Sequence, residues 1–175
     1  MVTRVIVLNG GSSSGKTSIA RCLQAILPRP WIRLGVDDLL RALPPSLLDS
    51  GSGVAFGQRG EVMLGDGFRA IEAAWMTGGP RWPWPGRIII DDVFLGGAAS
   101  QQRTRGYLAG LEVLWVGVRC DPEIAEGREI ARGDRVTGRA ASQAETVHKG
   151  VVDIEVDTSR TEPVDCARAI AARVA

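Results

Sequence analysis

The sequence predicts an α/β fold in which a parallel sheet carries helices on both of its faces. Short apolar runs alternate with amphipathic helical segments along most of the 175 residues, which is the order of strand–helix–strand units joined by right-handed crossovers. The run at 4–9 is apolar without alternation, as in strands buried on both faces. A Gly/Ser loop follows this run and acids follow two others, and in such folds ligands bind at that edge of the sheet.

The elements follow one another in a regular order. After the first strand, the Gly/Ser loop leads into a helix over 17–27, where apolar residues recur at helical spacing until Pro28 ends it. A second strand is predicted at 31–36, with Asp37 at its end, and a short helix at 38–43. Later strands are predicted at 87–92, 111–120 and 152–156, and later helices at 68–76, 98–108, 122–147 and 163–174.

Two segments interrupt this order. Residues 44–67 hold six glycines between small apolar groups, and we interpret them as an excursion from the sheet, with a hairpin as one form. Long ordered connections of this kind often serve as lids or binding loops. Residues 78–86 contain three prolines, which predicts that no helix forms there. The length suits one core, so we expect a single domain over 1–175.

Composition excludes several classes of protein. Apolar residues make up 45% and charged residues 23%, which is ordinary globular usage. The formal net charge of +1 provides no field to attract nucleic acid or an anionic membrane, and no apolar run approaches the ~18 residues of a membrane helix. Three separated cysteines and one histidine predict neither a disulfide framework nor a zinc site. We expect a cytoplasmic protein without nucleic-acid or membrane partners, and the oligomeric state, a homo-oligomer included, stays open.

The most specific motif is GGSSSGKT at 10–17, which fits G-x4-G-K-[ST] between a buried strand and a helix. Its small residues let backbone N–H groups turn inward to cradle phosphate oxygens, and the helix N-terminus adds further donors. Lys16 is predicted to place its charge on the β- and γ-phosphates, and Thr17 to offer its hydroxyl to Mg²⁺. The predicted cradle residues are Gly10, Gly11, Ser12, Ser13, Ser14 and Gly15, and the predicted ligand is a nucleoside triphosphate.

Acids follow two of the predicted strands. Asp91 and Asp92 end a strand expected beside the first one, where a carboxylate holds a magnesium-bound water. The sequence leaves open which of the two serves the metal. Asp37 faces the phosphate loop across the predicted cleft, where an acid accepts the hydroxyl proton of an alcohol acceptor. The alternative is that Asp37 or Asp38 caps the following helix, and Asp38 suits that role better.

A row of arginines follows in the predicted helix over 122–147. Arg128, Arg132 and Arg135 stand at i, i+4 and i+7, which is one helix face if the helix continues past Gly133. Guanidinium groups that close over phosphates neutralise charge in the transition state and exclude water. We assign nucleotide binding to Arg128 and Arg132 and catalysis to Arg132 and Arg135. The alternative is a solvated face on which Glu129 pairs with Arg132.

Taken together, these strings resemble the chloramphenicol 3-O-phosphotransferase family. GGSSSGKT, GVDDL, RIIIDDVFLGGAA, WVGVRCD, AEGREIARGDRV and VDTS occur in this order over nearly the whole chain. The resemblance implies a P-loop kinase-like three-layer α/β/α fold with a five-stranded parallel sheet and a helical lid at about 122–148. It also implies ATP and Mg²⁺ as cofactors, and a γ-phosphate that passes to the primary hydroxyl of chloramphenicol, giving antibiotic resistance or self-protection. Lys16 and Thr17 then match the phosphate and metal positions, Asp37 the base, and Arg132 and Arg135 the lid arginines.

The sequence departs from this family at Asp38, at 78–86 and at 44–67. The last segment is expected to form part of the acceptor pocket, with Phe56, Met63 and Phe68 as candidate walls for an aromatic acceptor. Each of the three is equally a candidate core residue. Other acceptors in the same class are hydroxylated antibiotics and metabolites. A nucleotide-dependent switch is the alternative from another class, although the chain has no N-K-x-D string and no D-x-x-G after a strand.

Overall fold

This computed structural model describes residues 2–48, 50–57, 62–81, 87–94, 96–132, 147–148 and 150–175. Its strands are β1 (Val5–Asn9), β2 (Trp31–Gly35), β3 (Val54–Phe56), β4 (Val62–Leu64), β5 (Arg87–Asp92), β6 (Val113–Arg119) and β7 (Ile154–Asp157). The α-helices are α1 (Lys16–Ile26), α2 (Val36–Ala42), α3 (Asp66–Gly78), α4 (Ala98–Tyr107), α5 (Pro122–Arg132) and α6 (Pro163–Ala171), and single 3₁₀ turns lie at Pro45–Leu47 and Gly79–Arg81.

Five parallel strands form the main sheet in the order β2-β5-β1-β6-β7, which confirms the predicted sheet. All five residues of β1 are buried, as its unbroken apolar run predicts. Leu8 pairs in register with Asp91 on β5 and with Val116 on β6. The carboxyl end of β1, from which the Gly/Ser loop departs, therefore lies beside the acids that end β5.

The two faces of the sheet carry different helices because successive side chains of a strand point to opposite faces. Ile6, Leu8 and Ile89 pack with residues of α1 and α6 on one face. Val7 and Ile90 pack on the other face with Met76 of α3 and with Leu108, just after α4. Full burial of one such aliphatic side chain is worth about 1.5–3 kcal/mol relative to exposure.

The excursion at 44–67 contains the hairpin that its pattern suggested. Strands β3 and β4 pair antiparallel, with Val54 opposite Leu64. Val54 and Phe68 join Leu39 and Leu43 of the α2 segment in a third buried cluster. This cluster lies outside the two sheet faces and connects α2, the hairpin and α3.

Some predicted boundaries are corrected by the structure. β2 ends at Gly35 and Val36 already belongs to α2, because the Asp38 carboxylate accepts a hydrogen bond from the Gly35 N–H at 2.9 Å. Asp37 therefore lies in the first turn of a helix. α3 runs to Gly78 and the turn at 79–81 contains Pro80, since a proline is tolerated where a helical turn starts. Residues 82–86 and 133–146 lie outside the described ones.

None of the helices in the described part of the chain combines the length and the apolar character that crossing a membrane requires.

Candidate active site

The Gly/Ser loop between β1 and α1 has the backbone of an anion-binding cradle. Ser13 has φ 56° and Gly15 has φ 87°, and left-handed residues of this kind turn successive N–H groups inward. A Cβ at Gly10 would lie 2.6 Å from the Val118 carbonyl oxygen, so only glycine fits there. The chain accepts the left-handed conformation at Ser13, which is unfavourable for a residue with a side chain.

Polar groups of this loop point into the cradle. The hydroxyl oxygens of Ser13 and Ser14 are buried and have no hydrogen-bond partner among the described residues. The Lys16 ammonium is also buried and donates to the carbonyls of Gly10 at 2.9 Å and Gly11 at 2.8 Å. Unsatisfied buried polar groups are costly and rare in native proteins. The loop is therefore suited to bind an anion that supplies acceptors to these hydroxyl groups.

A cavity of about 560 Å³ extends from this loop. It is lined by residues of the loop and α1, by the ends of β2 and β5, by the second half of α5, and by the β7–α6 connection. Volumes of a few hundred Å³ are typical of ligand sites. Its charged lining residues are Lys16, Arg21, Arg33, Asp37, Asp91, Arg128 and Glu162.

The residues predicted to hold magnesium are brought together in this cavity. The Thr17 hydroxyl donates to Asp91 Oδ2 at 2.7 Å, and both residues line the cavity. A hydroxyl and a carboxylate are the hard oxygen ligands that Mg²⁺ prefers, and this ion takes its remaining ligands from water and phosphate. In the described ranges no group of three or more His, Cys, Asp or Glu forms a fuller metal cage. The donor set fits a cation that arrives with a nucleotide.

Asp92 lies on the opposite face of β5 from Asp91. It is 5% exposed, and its Oδ1 accepts the Val93 N–H at 2.6 Å. Burial raises the pKa of Asp92 to about 7, the charges of Glu72 and Asp91 act in the same direction, and the Val93 hydrogen bond opposes them. The structure thus separates the two acids that the sequence left equivalent, with Asp91 beside Thr17 and Asp92 facing a second cavity.

That second cavity is smaller, about 130 Å³, and lies between α2, the hairpin, α3 and α4. Glu72, Asp92 and Arg103 are charged residues of its wall. Burial raises the pKa of Glu72, and the positive charges of Arg103 and Arg69 oppose this. Asp37 lines both this cavity and the phosphate cavity. Asp37 therefore lies at the boundary between the two cavities.

The three predicted acceptor walls have different positions. Phe68 lines the second cavity and is 1% exposed, so it belongs to both the wall and the core. Met63 is 57% exposed and is not among the lining residues, because strand alternation turns its neighbours Val62 and Leu64 inward instead. The geometry therefore does not support Met63 as a wall. The side chain of Phe56 lies outside the described residues.

The predicted lid arginines are described only in part. Arg128 lines the phosphate cavity and donates to the Thr158 carbonyl at 2.8 Å and to the Thr158 hydroxyl at 3.2 Å. These bonds tie the middle of α5 to the residue just after β7. Arg132 is the last described residue of α5, and its side chain, like all of Arg135, lies outside the described residues.

Several site residues were missed at the level of sequence. Glu129 is 1% exposed and accepts the Ser12 hydroxyl at 3.2 Å, so the third turn of α5 contacts the phosphate loop directly. Glu72 stands four residues after Phe68 on the same face of α3, and Arg103 four before Tyr107 on α4. This i, i+4 spacing from an aromatic residue was the sequence pattern that could have identified Glu72 and Arg103. The Ser12–Glu129 contact joins residues 117 positions apart and left no local signal.

A family model described as chloramphenicol phosphotransferase-like protein matches residues 3–175. The chain belongs to the chloramphenicol phosphotransferase-like family. Two Mycobacterium tuberculosis proteins, from strains CDC 1551 and H37Rv, carry names that assign them provisionally as O-phosphotransferases. Each is 30% identical over 186 residues, which covers 94% of this chain and 79% of the relative.

Solved kinase structures share the fold of this family member. Shikimate kinase from Acinetobacter baumannii, in complex with shikimate, has a TM-score of 0.61 at 19% identity, over 96% of this chain and 90% of that one. The Mycobacterium tuberculosis APS kinase, in complex with AMPPNP and APS, has a TM-score of 0.63 at 14% identity, over 97% and 95%. The predicted P-loop kinase fold is thereby confirmed. Family and fold together identify a kinase of the O-phosphotransferase type that uses a nucleotide.

Proposed function

We propose that this protein transfers the γ-phosphate of ATP to a hydroxyl group of a small molecule bound in the second cavity. The observation that carries the proposal is the position of Asp37, which lines both cavities. A triphosphate in the loop would point its terminal group toward this carboxylate, and an alcohol in the second cavity would approach from the other side. Positioning of this kind supplies a large part of the catalysis of phosphoryl transfer.

The chemical step assigns a role to each part of the site. The acceptor oxygen forms a new P–O bond as the bond between the γ-phosphorus and the β,γ-bridging oxygen breaks, which leaves ADP. The Asp37 carboxylate accepts the hydroxyl proton. Lys16, now bonded to loop carbonyls, would turn its ammonium to the β- and γ-phosphates. Mg²⁺ held by Thr17 and Asp91 would supply further charge neutralisation when bound.

The base of the nucleotide fits the far end of the phosphate cavity. Thr158, in the VDTS string just after β7, and Glu162 and Pro163, at the start of α6, line that end. Arg128 lies beside Thr158, and its planar guanidinium suits contact with an aromatic ring. We therefore assign the adenine to this end and the transfer to the end beside Asp37.

The acceptor cavity suits a small neutral alcohol. Its charged wall residues are acidic except for Arg103, so an anionic group on the acceptor would face more acidic than basic side chains. Apolar residues such as Leu40, Leu64 and Phe68 supply the remaining wall. The primary hydroxyl of chloramphenicol is the first acceptor to test, because the molecule is neutral and the chain belongs to the family named for it. Phosphorylation of the drug would give antibiotic resistance or self-protection.

The test is a panel of acceptors incubated with ATP and magnesium. Chloramphenicol, other hydroxylated antibiotics and neutral metabolites are compared by ADP release and by mass spectrometry of the product. We expect one neutral alcohol to raise ADP release and to gain one phosphoryl group. Guanine-selective binding without any phosphorylated acceptor would instead support a nucleotide-dependent switch.

Replacement of Asp37 tests its role as proton acceptor. We expect Asp37→Asn to lower kcat about 10²–10⁴-fold, because the acceptor proton loses its destination, while the affinity for ATP stays within about threefold. Kinetics with the acceptor found in the panel provide the measurement. Asp66→Asn is the matched control, since Asp66 is an exposed acid in the first turn of another helix. Near-wild-type kcat in the Asp37 variant would remove this carboxylate from the mechanism.

A further inference from the structure

One arginine lies beside the metal-side acid and has no role in the chemistry above. Arg33 pairs in register with Ile89 on β5 and stands two residues after Trp31, so it projects on the α1 face of the sheet, the face of Asp91. Its guanidinium passes over Gly35, where a Cβ would lie 2.6 Å from Nη1. It also lines the phosphate cavity.

The guanidinium of Arg33 is shared between two carboxylates. Its Nη2 lies 3.0 Å from Asp38 Oδ2 and 3.2 Å from Asp38 Oδ1, while its Nη1 lies 3.5 Å from Asp91 Oδ2. That same Asp91 Oδ2 accepts the Thr17 hydroxyl at 2.7 Å. The side chains of Arg33 and Asp91 are 21% and 8% exposed, so solvent screens their interaction only in part.

We propose that Arg33 is a built-in competitor of the divalent cation at Asp91. Its positive charge faces the oxygen that would bind the metal, so the cation must displace this contact and also meets repulsion from the guanidinium. Arg33 thereby raises the magnesium concentration that the site needs. This inference rests on the assignment of Thr17 and Asp91 as the metal side of the proposed kinase site.

Asp38 determines how strongly Arg33 competes. As long as Asp38 shares the guanidinium, only part of the charge of Arg33 acts on Asp91. Asp38→Asn removes that share and leaves Asp91 as the remaining carboxylate within 4 Å of Arg33 among the described residues. The asparagine oxygen still accepts the Gly35 N–H that opens α2. Replacement of Asp38 and replacement of Arg33 by a neutral residue are therefore expected to change the metal affinity in opposite directions.

Manganese binding tests the proposal without reference to turnover. Mn²⁺ is titrated into the protein with saturating AMPPNP, and free Mn²⁺ is followed by electron paramagnetic resonance. We expect Arg33→Gln to tighten Mn²⁺ binding roughly threefold to tenfold and Asp38→Asn to weaken it. Arg41→Gln is the matched control, because Arg41 also contacts Asp38 at 3.1 Å but is 74% exposed and is not paired with Asp91.

A double-mutant cycle separates a specific contact from a general field. If Asp38 acts through Arg33, Asp38→Asn has no further effect in the Arg33→Gln protein, whereas independent charges give additive effects. The proposal is overturned if the two effects are additive. It is also overturned if Arg33→Gln leaves the Mn²⁺ affinity unchanged, or if the only effect of Arg33→Gln is a loss of AMPPNP affinity. Arg33→Lys, expected to bind Mn²⁺ between wild type and Arg33→Gln, replaces the glutamine variant if that one does not fold. A Lys variant with wild-type affinity would also overturn it.

Asp91→Asn distinguishes failure of this inference from failure of the metal assignment. If Asp91→Asn binds Mn²⁺ as tightly as wild type, the metal lies elsewhere and the proposed site is at fault. If Asp91→Asn loses Mn²⁺ and Arg33→Gln does not change its affinity, the site stands and only the role of Arg33 fails. Transfer to an acceptor is measured separately by product formation.

Discussion

Asp91 and Asp92 show that neighbouring positions on one strand can have different roles. Asp91 and Asp92 follow each other on β5 and are both buried, but the pleat turns them to opposite faces. Asp91 meets the Thr17 hydroxyl, whereas Asp92 lines the second cavity with Glu72. The sequence left open which of the two serves the metal. It did not show which face receives the phosphate loop, since that depends on the packing of α1 across the sheet.

The buried carboxyl of Asp92 predicts a pH dependence of stability. Its pKa rises from 3.8 to about 7 in the folded protein, so between these values the folded state binds more protons than the unfolded state. The free energy of unfolding therefore falls as pH rises from about 4 to 7. Asp92→Asn stays neutral and should match wild type near pH 4 but exceed it at pH 8, by on the order of 2–4 kcal/mol.

Urea unfolding at pH 4, 6 and 8 in metal-free buffer measures this difference. Asp165→Asn, on the exposed face of α6, is the control and should show no gain that grows with pH. A constant offset between Asp92→Asn and wild type at all three pH values would contradict the assignment. Such an offset would mean that the substitution acts through packing instead of charge.

At the scale of elements, Thr158 links three parts of the site. It is 2% exposed, its hydroxyl donates to the Ser14 carbonyl at 2.8 Å, and Arg128 of α5 donates to it. The end of β7 is thus connected to the phosphate loop and to the middle of α5. In the sequence, VDTS stood out only as one of the strings of the family resemblance, because a contact between residues 144 positions apart has no local pattern.

Removal of this one hydroxyl should loosen the site. Thr158→Val keeps the shape but leaves the Ser14 carbonyl without its partner, which costs about 1–3 kcal/mol in a buried position. We expect a lower melting temperature and several-fold weaker AMPPNP binding by calorimetry. Thr161→Val, an exposed threonine in the same connection, is the control. Equal AMPPNP affinity in the two variants would show that the Thr158 hydroxyl does not support the phosphate loop.

At the scale of the whole molecule, the sequence predicted features formed by neighbouring residues well, and features formed by the packing of distant segments poorly. The unbroken apolar run of β1 and the GGSSSGKT motif were sufficient for the sheet and the phosphate loop, because both signals lie within a few residues. The second cavity draws Asp37, Glu72 and Arg103 from three separate helices. Their proximity depends on how α2, α3 and α4 pack, so only Asp37 was identified in advance, through its position after a strand.

The separate hydrophobic cluster behind this cavity leads to a prediction about the molecule as a whole. Val54, fully buried in that cluster, supports the hairpin and Phe68. Val54→Ala should lower the free energy of unfolding by about 1–3 kcal/mol and raise the KM for the acceptor, with AMPPNP affinity unchanged. Val5→Ala removes the same atoms from a fully buried site at the amino end of β1 and should lower stability alone. If both variants raise the acceptor KM equally, the cluster has no independent part in forming the acceptor site, and general loss of stability explains both effects.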